Sequence, residues 1–290
     1  EYQANQALHG PHPWLHWEMA DMDFDGHPEV VMETENQALW FKPSQGGSLV
    51  EWDLRIPGYN LLSTLARRPE SYHLMMQEKL SSQGDDGNAA IKSIHDGLRQ
   101  RTELPPVFSY DKYPRVSFME HILPLDLTLK DFSSGQYREP ENWAGLTYEK
   151  DLKPDGESLA LNLKREGQSC DKTPLRLEKV LKVRPDGNSL GGFEVTYTLT
   201  NTGTDPTSGL FGSEWNFNLL GGGHNPQAYY RLGNGKTDRL DTTFQEDSIA
   251  EVHLGNRYLN IELGLNTNPP ATLWCFPVET ISNSEAGLEK

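Results

Sequence analysis

The sequence predicts an all-β protein with antiparallel sheets, and two observations support this fold class. Twenty-six Gly and 19 Pro residues are spread along the 290-residue chain, which is typical of short strands separated by many turns. Apolar and polar residues also alternate with the period of two that a strand imposes, most strictly from Phe193 to Thr200. A chain of this length is large for one domain, but all-β sandwiches reach this size as a single unit.

Short strands are predicted at residues 29–35, 38–42, 48–54 and 115–122, and further strands follow from Ser158 onward. Residues 59–79 change to the pattern of a loop and a short helix. The polar residues 81–103 predict a loop. The expected architecture is therefore all-β with a short helical excursion near residues 60–100.

The charge balance limits the partners that this protein can bind. Twenty-six Lys and Arg against 42 Asp and Glu give a net charge of −16, which argues against nucleic acid and against an anionic membrane surface. The sequence contains no long apolar run and no basic-then-apolar N-terminus, so it predicts neither a membrane span nor a signal peptide. We interpret Cys170 and Cys275 as reduced thiols of a cytoplasmic protein, with one disulfide as the alternative.

The most informative segment runs from Gly212 to Leu220 and is predicted to be a strand. Its alternation places Glu214, Asn216 and Asn218 on one face, and Trp215, Phe217 and Leu219 on the other. Asparagine is a poor strand residue, so a carboxylate between amides indicates a polar face that binds the hydroxyl groups of a sugar. The alternative is a polar face that only meets water or neighbouring loops. Both interpretations are open at this point.

A second chemical signal is the acidic segment Asp21 to Glu29. Asp21, Asp23 and Asp25 precede Gly26 at alternate positions, so their carboxylates can converge on one hard cation, with Glu29 as the closing ligand. Oxygen ligands predict calcium rather than zinc. The alternative is an acidic turn that caps the following strand.

Two histidines stand beside charged residues and are candidates for the same sugar-facing site. His73 follows a segment rich in Arg and Glu, and His121 follows Glu120. A buried histidine satisfied by a carboxylate is the commoner explanation of such a pair, so a structural role is the alternative.

Several motifs together resemble the C-terminal β-sandwich domain of glycoside hydrolase family 57 α-amylases and 4-α-glucanotransferases. The motifs occur in this order: Asp21 to Glu29, Leu65 to His73, Tyr110-Asp111 with Arg115 and Glu120-His121, Gly212 to Leu220, and Phe276 to Glu285. The resemblance implies the antiparallel β-supersandwich fold of galactose mutarotase, with residues 1–20 as a lead segment and 21–290 as one domain. It also implies that the catalytic residues lie in a separate N-terminal barrel.

The resemblance predicts an accessory domain that packs on that barrel and helps to form an α-glucan groove. One alternative is a free-standing aldose 1-epimerase-like enzyme, with Glu214 as general base and His121 or His73 as the acid. The other is a calcium-stabilised carbohydrate-binding module in which exposed Trp residues stack on sugar rings. An open sheet edge near the C-terminal residues would favour association, so a homo-oligomer is also expected.

Overall fold

A computed structural model describes residues 2–10, 13–73, 109–139, 141–185, 191–280, 282–284 and 287–289. In chain order the elements are α1 (Tyr2–His9), β1 (Leu15–Ala20), β2 (Glu29–Thr34), β3 (Gln37–Lys42), β4 (Ser48–Leu54), β5 (Tyr59–Asn60), β6 (Met119–Leu123), α2 (Leu129–Ser134), β7 (Glu149–Asp155), β8 (Ser158–Gln168), β9 (Pro174–Val183), β10 (Glu194–Asn201), β11 (Leu210–Glu214), β12 (Ala228–Leu232), β13 (Thr237–Arg239), β14 (Phe244–Asn256), β15 (Ile261–Cys275), β16 (Ser282–Ser284) and β17 (Gly287–Glu289). The predicted all-β fold with antiparallel sheets is confirmed.

The first sheet has five strands in the order β1-β2-β3-β4-β5, each antiparallel to its neighbour. Its strands β2, β3 and β4 match the predictions at 29–35, 38–42 and 48–54 to within one residue. Strand β1 lies inside the predicted lead segment and pairs with β2 along its whole length. Residues 15–20 are therefore part of this sheet.

The second sheet has the order β10-β9-β8-β7, and it packs on the first sheet around one hydrophobic core. Apolar residues of β2 and β3, including Met32 and Leu39, belong to the same buried cluster as Leu161 of β8 and Leu177 of β9. The turn before β4 approaches the segment that precedes β7 so closely that only glycine fits. A Cβ on Gly46 would lie 2.2 Å from the carbonyl oxygen of Ala144.

Two smaller sheets complete the fold. Strands β6 and β11 form an antiparallel pair, and β13-β12-β14-β15 form a four-stranded sheet. A small core cluster of Tyr230, Leu232 and Val252 supports the latter. The long β14–β15 hairpin is mostly exposed beyond Leu265.

Two sequence predictions need correction in the described residues. The predicted strand from Gly212 to Leu220 ends at Glu214, and residues 215–220 are irregular. The predicted strand at 115–122 begins only at Met119. The predicted loop and short helix after Tyr59 agree with the described residues, since Leu61 and Leu62 enter the core from a loop and residues 71–73 are helical. Residues 74–79 of the predicted helix and the predicted loop at 81–103 lie outside the described residues.

A short helix, α2, lies outside the predicted helical region. The hydroxyl of its N-cap Thr128 accepts a hydrogen bond from the backbone nitrogen of Asp131 at 3.2 Å, which satisfies one of the free donors of the first turn. Gly135 ends the helix with a φ of 71°, a left-handed conformation that glycine adopts without strain. The helix buries Phe132 beside the candidate site.

Both cysteines, Cys170 and Cys275, are free thiols in the structure. Among the described residues, no helix is both long and apolar enough to span a lipid bilayer.

Candidate functional site

The candidate site forms where β6 pairs with β11. The register sets His121 opposite Gly212, with Glu214 two residues further along β11 on the same face. Because Gly212 has no side chain, the imidazole of His121 can lean along the pair towards Glu214. Glu120 and Ser213 are also opposite each other, and they point to the other face.

The carboxylate of Glu214 is surrounded by protein donors. Its Oε1 accepts hydrogen bonds from Arg115 Nη1 at 2.6 Å and from Asn216 Nδ2 at 2.7 Å. Its Oε2 accepts one from the Tyr113 hydroxyl at 2.7 Å and lies 3.0 Å from His121 Nε2. The residue is 9% exposed. Both oxygens are therefore occupied by groups of the fold.

His121 lies between two carboxylates, because its Nδ1 is 3.1 Å from Glu139 Oε2. Burial opposes its charge, but the hydrogen bonds to Glu139 and Glu214 outweigh burial and raise the pKa of His121 to about 9. Burial likewise opposes ionisation of Glu214, yet His121 and Arg115 lower its pKa to about 2. At neutral pH the pair is an imidazolium and a carboxylate. These are the protonation states of a general acid and a general base, but the two groups bind each other.

The charged network extends to a second carboxylate, Asp111. Its Oδ1 accepts hydrogen bonds from Arg67 Nη2 at 2.6 Å and from Arg115 Nε at 2.9 Å. Burial opposes ionisation of Asp111, but the hydrogen bonds from Arg67 and Arg115 outweigh it and lower its pKa. We name the six connected residues the Glu214 network: Arg67, Asp111, Arg115, Glu214, His121 and Glu139. Three cations oppose three anions, so the network is neutral when His121 is protonated.

The side-chain amides of Asn216 and Asn218 anchor the irregular segment that follows β11. Asn216 Nδ2 also donates to the carbonyl of Val116 at 2.7 Å. Asn218 Nδ2 donates to the carbonyl of Ser63 at 2.9 Å. These two side-chain hydrogen bonds fix the segment in place, as backbone hydrogen bonds between neighbouring strands do in a sheet. Trp215, Phe217 and Leu219 pack against the main core, so the predicted separation into a polar and an apolar face is present.

His73 lies apart from the Glu214 network. Its Nδ1 is 3.2 Å from the Tyr110 hydroxyl and accepts a hydrogen bond from the backbone nitrogen of Glu70 at 3.2 Å. The structure therefore brings together Glu214, Asn216 and His121, whereas Asn218 and His73 contact other segments. Their predicted contact with carbohydrate stays a prediction.

An aromatic rim covers the network on one side. Phe132 meets the His121 ring edge-on at 5.4 Å and stacks on Tyr137 at 5.1 Å. The Tyr137 hydroxyl lies 3.2 Å from that of Tyr113. Tyr113 and Tyr137 are half-buried, so part of each ring faces the surface.

The opposite face of β6 carries a fully buried ion pair that sequence reasoning missed. Lys179 Nζ contacts Glu120 and also donates to the carbonyl oxygens of Gly46 at 2.9 Å and Phe118 at 3.0 Å. The Tyr197 hydroxyl donates to Glu120 at 3.0 Å. Both charges have 0% side-chain exposure, so this pair joins β6 to β9 inside the core. The alternation of β9 marks Lys179 as an inward-facing position, and a lysine there predicts a buried partner.

The acidic segment forms a curled loop beside the end of β3. Oxygens of Asp21, Asp23 and Glu29 lie within 4.8 Å of one another. Lys42 Nζ contacts Asp23 and lies 2.7 Å from Asp25 Oδ2 and 3.9 Å from Glu29 Oε1. Asp25 therefore faces a lysine rather than the three converging oxygens. Glu29 Oε1 is buried and has no hydrogen-bond partner in the described structure.

Lys42 was also missed, although the strand pattern contained the signal for it. Val30 of β2 is opposite Phe41 of β3, so an antiparallel hairpin places the start of β2 next to the end of β3. Lys42 then necessarily lies near Glu29. Arg115, Glu139 and Tyr113 carried no such local signal, because they reach Glu214 or His121 from distant or irregular segments.

Comparison with known protein families matches residues 21–290 to the family described as alpha-amylase/4-alpha-glucanotransferase, C-terminal. The chain belongs to this family. It is 31% identical over 273 residues to an alpha-amylase of Pyrococcus furiosus, covering 93% of this chain and 35% of that protein. It is 28% identical over 280 residues to alpha-amylase 1 of Dictyoglomus thermophilum, covering 95% and 38%, respectively.

A solved structure supports the fold. The 4-alpha-glucanotransferase of Thermococcus litoralis superposes with a TM-score of 0.69 and 23% identity, covering 99% of this chain and 36% of that chain. The chain thus spans a little over a third of the length of these relatives. It corresponds to their C-terminal domain.

Proposed function

We propose that this chain is the accessory C-terminal domain of a glycoside hydrolase family 57 enzyme acting on α-1,4-glucans, packed on the catalytic barrel of the same protein. The observation that supports this most is the family match over residues 21–290 of a chain that spans little more than a third of its relatives. A cytoplasmic location is part of the proposal, and the two free thiols fit it. Formation of a homo-oligomer stays a prediction.

The test is activity on maltoheptaose. The purified chain should release no reducing sugar, whereas the full-length protein containing it should release sugar or transfer glucosyl units. Sugar release by the chain alone that persists in Glu214→Gln, and that disappears when another carboxylate is replaced, would contradict the proposal.

The geometry weighs against the epimerase alternative. An epimerase needs its acid and base on either side of a bound sugar, but His121 Nε2 and Glu214 Oε2 lie 3.0 Å apart and are buried. A sugar hydroxyl has no space between them. Accelerated mutarotation of glucose or galactose that Glu214→Gln abolishes would restore this alternative.

We further propose that the face carrying Glu214, Asn216 and Asn218 lines an α-glucan groove. On this face the buried carboxylate of Glu214 binds the Tyr113 hydroxyl, which in turn contacts the Tyr137 hydroxyl. The half-buried rings of these two tyrosines offer apolar faces for sugars.

Tyr137→Ala should weaken maltoheptaose binding severalfold, since an aromatic contact is worth about 1 kcal/mol. Calorimetric titration can measure this, with Tyr258→Ala as the control because Tyr258 is 82% exposed. Equal affinities of both variants and the parent would reject the groove.

Calcium is proposed as a structural ion in the acidic loop. Oxygen atoms from Asp21, Asp23 and Glu29 are the ligand type that a hard cation needs, and the buried Oε1 of Glu29, which accepts no hydrogen bond in the described structure, would gain a close contact. Asp25 would have to leave Lys42 to join them. The ion would neutralise the loop and fix its curl.

Thermal unfolding tests the calcium proposal. Calcium at about 100 times its Kd should stabilise the fold by about 2.7 kcal/mol, which raises Tm by several degrees. Asp23→Ala should remove this increment. Identical melting curves with excess calcium and with excess chelator would favour an acidic turn neutralised by Lys42.

A further inference from the structure

A cavity of about 220 Å³ lies beside the Glu214 network, between the segment that follows Leu65 and the segment that precedes Arg115. Its lining residues are Ala66, Arg67, Arg68, Asp111, Lys112, Tyr113 and Pro114. Three of the seven are cationic and only one is anionic. This composition is unexpected in a chain whose net charge is −16.

The single carboxylate of the cavity, Asp111, is already neutralised. It binds both Arg67 and Arg115, and the Glu214 network that contains all three is neutral with His121 protonated. Arg68 and Lys112 are not part of that balance. The cavity wall therefore carries a surplus of two positive charges among the described residues.

Neither surplus cation forms a salt bridge within the described part of the chain, and Glu139, which acts on Lys112 at longer range, is already paired with His121. Arg68 is exposed and makes no hydrogen bond, ion pair or ring contact there. Lys112 Nζ donates to the carbonyl oxygen of Tyr137 and lies 4.1 Å from the centre of its ring. Burial lowers the pKa of Lys112, which a bound anion would reverse.

A second cavity in the same protein provides a contrast. It has a volume of about 280 Å³ and is also lined by two cations, Lys182 and Arg184. Each of these faces a carboxylate, since Lys182 Nζ lies 2.7 Å from Asp155 and Arg184 Nη2 lies 3.8 Å from Glu194. Unpaired cations therefore distinguish the cavity at Arg68.

We propose that the cavity lined by Arg67, Arg68 and Lys112 is an oxyanion site that binds a phosphate group, either free or esterified to a sugar. A phosphate monoester carries nearly two negative charges at neutral pH, which matches the surplus. The planar guanidinium of Arg68 can bind two phosphate oxygens at once. The volume exceeds that of phosphate itself, and the ring of Tyr113 with Pro114 offers an apolar wall for an attached sugar.

The site is tested by calorimetric titration of the whole chain at neutral pH and low salt, with inorganic phosphate, glucose 6-phosphate and glucose as separate probes. Phosphate should bind saturably and glucose alone should not. Arg68→Gln should weaken phosphate binding roughly tenfold, because a charge-assisted hydrogen bond is lost. The matched control Arg184→Gln, in the paired cavity, should leave binding unchanged. Arg68 has no partner to lose among the described residues, so its replacement should also leave the free energy of unfolding unchanged.

The outcomes separate clearly. Tighter binding of glucose 6-phosphate than of phosphate would assign the site to sugar phosphates or phosphorylated glucans, whereas equal binding would assign it to free phosphate. Absence of saturable phosphate binding, or equal affinity in the parent and Arg68→Gln, would overturn the proposal. The oxyanion site does not rest on the accessory-domain function, since neither inorganic phosphate nor these variants involve the catalytic barrel.

Discussion

The Glu214 network and the acidic loop each gather several carboxylates within a few ångströms, but their surroundings differ. In the network the side chains of Arg115, His121 and Glu214 are 3%, 1% and 7% exposed. In the loop Asp23 and Asp25 are 51% and 35% exposed. The network is satisfied by cations of the fold on every side. In the loop a single described lysine, Lys42, faces the carboxylates of Asp23, Asp25 and Glu29.

This difference determines what each region can do. A buried carboxylate with four donors cannot accept a ligand without breaking protein contacts, so the network acts by holding segments together. An exposed loop with an unpartnered buried oxygen has ligand capacity left. Two groups of converging carboxylates in one fold can thus have opposite roles.

The largest effect is expected at Arg115, which bridges Asp111 and Glu214. Arg115→Ala removes from each of two buried carboxylates one of the two cations that contact it and should cost roughly 3–5 kcal/mol of unfolding free energy. Urea denaturation measures this. Arg176→Ala is the matched control, because Arg176 pairs with Glu166 at the surface and should cost at most about 1 kcal/mol. Similar losses in the two variants would remove the distinction between buried network and surface pair.

An intermediate effect is expected at Asn216. Asn216→Ala leaves the carbonyl of Val116 without its side-chain donor and removes one of the two donors to Glu214 Oε1, at about 1–3 kcal/mol for such a loss. Asn218→Ala should cost less, because its acceptor at Ser63 is exposed and can bind water. If Asn216→Ala keeps full stability but impairs substrate use by the full-length enzyme, Asn216 contacts glucan directly.

The smallest effect on stability is expected at Lys42. Lys42→Gln removes partly exposed ion pairs and should change the unfolding free energy by about 1 kcal/mol or less without calcium. With the competing ammonium gone, calcium should raise Tm more in this variant than in the parent. A smaller calcium response in Lys42→Gln would show that lysine and calcium do not share the site.

Local patterns were sufficient for much of the fold but not for the site. Alternation predicted β2, β3, β4 and β10 because each has one face on the core. It predicted β11 too long, because side-chain hydrogen bonds of Asn216 and Asn218, rather than strand pairing, hold the chain after Glu214. The network could not be read from spacing, because its members are joined only by tertiary packing.

His121 is a buried imidazolium fixed between Glu139 and Glu214. A folded-state pKa of about 9, raised from 6.5, gives a stability contribution that is fully present below pH 6.5 and is lost as the pH rises through 9. That contribution is on the order of 3 kcal/mol. His121→Asn should flatten this part of the stability profile.

The most direct test is an NMR titration of the His121 ring nitrogens between pH 5 and pH 10. We expect imidazolium shifts with both nitrogens protonated up to about pH 8, a midpoint near pH 9, and a lower midpoint in Glu214→Gln. A midpoint at or below 6.5, or one that Glu214→Gln leaves unchanged, would contradict this expectation.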